Sequence, residues 1–175
     1  MVISQNEMEA RPFGLARSII TAWALFGGLV LVAVVAVNAY SIIAGAIVNK
    51  PFSGDFELTE MGAAIAAFCF LPYCQLTGSN VSADIFTYNA RPRTVAFMSL
   101  LAAVVALLFS GLLLWRMSHG LSDYIEYSEV TGILSIPIWW SFVPALISLV
   151  LLAVASLITL LEATQSASRA GTERR

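Results

Sequence analysis

Residues 19–48 read IITAWALFGGLVLVAVVAVNAYSIIAGAIV, thirty positions without one Asp, Glu, Lys, Arg or His. A helix of roughly 20 apolar residues crosses the hydrocarbon of a bilayer, so this run has turns to spare and is expected to tilt or to protrude from one face. It exceeds the roughly 7–15 residues of a signal-peptide core and reads as a retained helix.

The same pattern recurs along the chain. Apolar blocks fall at about residues 58–77, 94–115 and 138–161, separated by polar or proline-containing stretches: Asn49-Lys50-Pro51, Gly78 to Pro92, and Arg116 to Pro137. Of the 175 residues, 59% are hydrophobic and 11% charged. A soluble domain carries about a quarter charged residues, and one of this length has no core large enough to hide so much apolar surface. The expected fold is therefore an all-α integral membrane protein with four transmembrane helices. Residues 1–175 form a single membrane domain in this reading, with 1–18 and 162–175 as cytoplasmic tails.

Orientation follows from the basic residues, which resist translocation. Arg11 and Arg17, then Arg91 and Arg93, then Arg169, Arg174 and Arg175 flank one side, whereas the other side has Lys50 and Arg116. Both termini are expected to be cytoplasmic, with Trp115, Trp139, Trp140 and Tyr40 at the outer headgroup layer. The net charge of -2 offers no basic excess for nucleic acid. Asp55, Glu57, Glu60, Asp123, Glu126 and Glu129 make the outer face acidic. That face reads either as a solvated surface or as a docking site for a positively charged external partner.

No catalytic constellation appears. His119 is the single histidine, no second metal-type ligand lies near it in sequence, and G-x-S-x-G, H-E-x-x-H and phosphate-loop motifs are absent. Cys69 and Cys74 lie inside an apolar block at C-x4-C spacing, which reads as apolar packing and not as a redox pair. Neither a cofactor nor a metal is expected in this chain. Glu57 and Glu60 share a face at the start of the second span, where negative charge suits a helix N-terminus. Ion coordination there would need further ligands, for which Asn38 and Ser41 are the available contributors.

Surfaces for helix packing are more evident. Gly62 lies over Ala66 and Ala63 over Ala67, a small-residue spacing that lets helix backbones approach closely, either within the chain or against a partner. Pro72 interrupts the same span. In the second loop Val81, Ile85 and Tyr88 fall on one face of a short helix suited to the membrane interface. Asp84 is placed to pair with Arg91 or Arg93 and brace the turn into the third span. The partner-interface candidates are thus Glu57, Glu60, Gly62, Ala66, Asp84, Arg91 and Arg93.

The order of these features resembles the small membrane subunit, DctQ type, of tripartite ATP-independent periplasmic (TRAP) transporters. The likeness runs roughly from Phe56 to Leu161 and rests on three motifs. Glu57-Leu58-Thr59-Glu60 opens a small-residue helix. Ser79-Asn80-Val81-Ser82-Ala83-Asp84-Ile85 stands where the family has Gly-His-Ile-x-Val-Asp-hydrophobic, with Asn80 in place of the histidine. Ser135-Ile136-Pro137-Ile138-Trp139-Trp140 opens the fourth span. The resemblance implies a bacterial inner-membrane scaffold that braces a large permease subunit holding the substrate and sodium sites, while a periplasmic binding protein delivers an organic solute, a carboxylate by expectation. Two other classes compete with it. A four-helix membrane thiol oxidoreductase would need paired cysteines in outer loops. A small self-assembling channel or exporter would need a polar stripe, for which Asn38, Ser41 and Gln75 are available.

Overall fold

The computed structural model describes residues 13–78 and 92–172. Four helices follow one another: α1, Gly14–Val48; α2, Asp55–Thr77; α3, Pro92–Glu126; and α4, Trp139–Thr172. Three contain stretches long and apolar enough to cross a membrane: Gly14–Val48, Leu100–Glu126 and Trp139–Glu162. The less apolar α2 carries Thr59, Glu60, Pro72 and Gln75 within its 23 residues.

Local chemistry explains the ends. The α1 helix stops at Asn49, which takes the left-handed conformation (φ 54°) that asparagine tolerates better than most residues. Asp55 and Glu57 occupy the first turn of α2, where carboxylates complement the helix dipole. At the other end Gly78 adopts φ 68°, and its N–H turns back to the carbonyls of Cys74 and Gln75. Between α3 and α4 the chain forms a small hairpin. The Thr131 N–H donates to Ile136 O at 2.9 Å and the Ile138 N–H to Glu129 O at 3.2 Å, with Val130 and Pro137 bridged antiparallel.

The helices pack as a row in which α2 lies between α1 and α4, and α3 lies against α4. The buried positions state why. On α1 these are Arg17, Ile20, Ala24, Gly27 and Ser41, and on α2 Gly62, Ala66, Cys69, Pro72 and Leu76. Spacings of three and four residues make a narrow seam of the kind used in left-handed helix packing. On α4 two adjoining stripes are buried, one through Ala145, Leu149, Leu152 and Ser156 and one through Ser148 and Ala155, as its place between two neighbours requires. By contrast, only 11% of the α3 membrane window is buried, against 39% for α4. Most buried positions hold Gly, Ala, Ser or Cys, so backbones come close and dispersion contacts hold the row together in lipid.

Hydropathy marks where the membrane is entered, not where a helix ends. The apolar blocks read as the third and fourth spans end near residues 115 and 161, whereas the helices that contain them continue to Glu126 and Thr172. Arg116–Glu126 remains helical because Gly120 and Tyr124 still pack on Phe142 of α4, with the Tyr124 and Phe142 rings 4.8 Å apart. The expected short helix in the second loop lies outside the described residues.

Candidate functional site

Polar side chains gather at three levels of the α1–α2–α4 group. At one end the Ser41 hydroxyl donates to Asp55 Oδ2 (2.6 Å) and accepts from the Phe52 N–H (3.2 Å), which folds the short linker back along α1. One turn deeper, Asn38 Nδ2 donates to Thr59 Oγ1 (2.6 Å) and to the Val34 carbonyl (2.9 Å). Asn38 and Ser41 therefore tie α1 to α2. Among the described residues no group of three or more His, Cys, Asp or Glu side chains is placed to hold a metal ion.

At the same end Glu57 anchors the α3–α4 hairpin. Its carboxylate accepts the N–H of Ile133 at 2.7 Å and that of Leu134 at 2.9 Å. Partial desolvation by the loop raises its pKa, but the N–H groups of Leu134 and Ile133, the Thr131 hydroxyl and the Gly132 N–H outweigh it, holding the carboxyl below its usual value. Gly54 completes the seat: a Cβ there would lie 2.5 Å from the Leu134 side chain, so a larger residue would have to displace that side chain. Glu60 is exposed one turn further along α2, away from the hairpin N–H groups that bond to Glu57.

In the middle level the Trp23 indole N–H donates to Ser148 Oγ at 2.8 Å. Ser148 Oγ also lies 3.8 Å from Cys69 Sγ, so one hydroxyl meets α1 and α2 from α4. Both cysteine thiols are free. Gly27 faces Cys69 so closely that a Cβ on the glycine would stand 2.5 Å from the Cys69 Cβ. At the far end Arg17, 5% exposed, pairs with Glu162 at 2.5 Å. Beside them Gln75 Nε2 donates to Thr159 Oγ1 at 3.3 Å, over a cluster of Ile20, Leu76, Ala155 and Ile158.

Two of the partner-interface candidates are covered by this chain itself. Gly62 is buried against Val34 and Val30 of α1, and Ala66 is 1% exposed, its carbonyl facing Gly27. The neighbouring pair Ala63 and Ala67 is exposed. Arg93 stands in the first turn of α3; Asp84 and Arg91 lie outside the described residues.

A family model described as tripartite ATP-independent periplasmic transporters, DctQ component, matches residues 34–166. The chain belongs to the DctQ family. No curated protein and no solved structure matches it. As a DctQ component it is a multi-pass inner-membrane protein and the small membrane subunit of a TRAP transporter, a family of transporter components and not of enzymes.

The family match begins at residue 34, after Arg17 and Trp23, so two of the contacts that organise this DctQ chain lie in its N-terminal part. Sequence reasoning used Arg17 only as an orientation signal and passed over Glu162. Their pairing has a readable signal: an acid where the fourth apolar block ends and a base where the first begins, on the same side of the membrane once the termini share a side. The Trp23–Ser148 bond has none, since a serine in an apolar run is silent about its neighbour.

Proposed function

We propose that this DctQ chain crosses the membrane four times, with both termini cytoplasmic, and serves as the fixed brace of a large permease subunit. That subunit would carry out sodium-coupled uptake of an organic solute, a carboxylate by class, delivered by a periplasmic binding protein. One observation carries the reading. Several polar side chains tie α1, α2 and α4 together, as Asn38 does with Thr59, Trp23 with Ser148 and Gln75 with Thr159, while the hydroxyls of Ser141 and Ser156 of α4 are buried without a partner among the described residues. The ties stiffen the row, while the apolar flanks of α1 and α3 face outward, with Leu29, Val32, Leu108 and Leu112 all more than 60% exposed. A transport pathway calls for polar groups or broken helices lining a cavity at the midplane, and a brace calls for stiffness and contact area. The orientation is supported by seven of nine basic residues on one side.

Reconstitution tests the proposal. Vesicles holding the large subunit together with this chain should accumulate solute under a sodium gradient, and vesicles with the large subunit alone should not. Full uptake by the large subunit alone would reject the bracing role.

A further inference from the structure

At the end of the bundle where Ser41 meets Asp55, the linker between α1 and α2 and the hairpin tip enclose an open cleft of about 320 Å³. Its walls include Phe52 and Leu134, and its polar lining is Tyr40, Lys50 and Ser53. None of these three side chains has a hydrogen-bond partner among the described residues, and each offers a donor. No acid lines the cleft. The two nearest in sequence are engaged: Asp55 accepts from Ser41, and Glu57 is held by the hairpin N–H groups. An ammonium and two hydroxyls without a carboxylate form an anion-binding set, on a face whose other charges are mostly acidic.

Its depth indicates what kind of anion. Ser41, beside Tyr40, is 24 residues from Arg17, or about 36 Å at 1.5 Å per residue, so the two polar levels straddle a hydrocarbon layer of about 30 Å. Tyr40 thus stands at the headgroup level. Toward the membrane interior α1 exposes Leu29 and Val32, both more than 60% accessible and on the Tyr40 side of the helix, as a surface for acyl chains. We propose that this cleft holds the phosphate of an anionic phospholipid, with the Lys50 ammonium as the charged contact, Tyr40 and Ser53 as hydroxyl donors, and the tails laid along α1. The site requires α1 to span but does not depend on the bracing role, so it stands or falls separately.

Native mass spectrometry of the full chain, released from micelles containing phosphatidylglycerol and phosphatidylcholine, reads the site directly. The wild-type chain should retain phosphatidylglycerol in preference. Lys50→Gln should lower that retention about tenfold, the order expected for one charge-assisted contact. Lys50→Arg should keep it. Arg116→Gln, which removes the other base at this end without touching the cleft, should leave it unchanged. Unaltered melting temperatures would show that the variants fold, as expected for an exposed linker residue. No preference in the wild type, full retention in Lys50→Gln, or equal losses in Lys50→Gln and Arg116→Gln would overturn the site. Displacement of the lipid by millimolar inorganic phosphate would overturn the lipid assignment in favour of a free anion.

Discussion

Arg17 is a buried cation and would be costly to leave unpaired. Its side chain is 6% exposed and that of Glu162 37%, so the pair is screened on one side only. Glu162→Gln keeps the shape and removes the charge. It should destabilise the chain by about 1–3 kcal/mol, less than for a fully enclosed pair because water reaches the glutamate. Thermal melting in detergent checks this, and an unchanged midpoint would mean that the ion pair adds no stability. Glu57 makes a prediction in pH. Its folded pKa lies below the usual 4.5, so its contribution to holding the hairpin is fully present above that value and fades as pH falls through the lowered one. Hydrogen-exchange protection at the Ile133 and Leu134 amides, corrected for intrinsic rates, should therefore drop in acid. In Glu57→Gln that pH step should be missing, and its persistence would assign the hairpin's anchoring to another group.

Between elements, the α1–α2 seam depends on glycines whose neighbours on the helix are unconstrained. Gly27→Leu must push α1 away from Cys69, whereas a side chain at Gly28 meets nothing within 4 Å. The first substitution should cost about 1–3 kcal/mol as overpacking, and the second should be near neutral. Comparable melting losses in both would show that the contact does not limit stability. This contrast also marks how far the sequence could be read. The four apolar blocks were legible because lipid excludes charge, and the Gly62–Ala66 spacing announced a close approach. Which helix made the approach was not legible, since α1 and a partner helix offer the same chemistry to a small-residue face. The extension of α3 to Glu126 was hidden too, because Arg116 and His119 signal departure from the membrane and say nothing about whether the helix continues.

For the whole chain, topology is the property most open to direct test. A cysteine introduced at Ser53, with Cys69 and Cys74 replaced by alanine, should be labelled in intact cells by a membrane-impermeant maleimide. One at Glu162 should react only after the cells are opened. The opposite pattern would invert the orientation. The polar ties between α1 and α2 carry a further consequence for how the chain enters the membrane. Taken alone, α2 is a poor insertion segment: Asp55, Thr59 and Glu60 would reach the translocon at the head of a stretch less apolar than its three companions. With α1 already in place, Ser41 and Asn38 receive two of those three residues as they arrive. The six-residue linker leaves no room for anything else to intervene. The two helices are thus joined as a hairpin in which α1 supplies partners for polar side chains that α2 would otherwise carry unpaired.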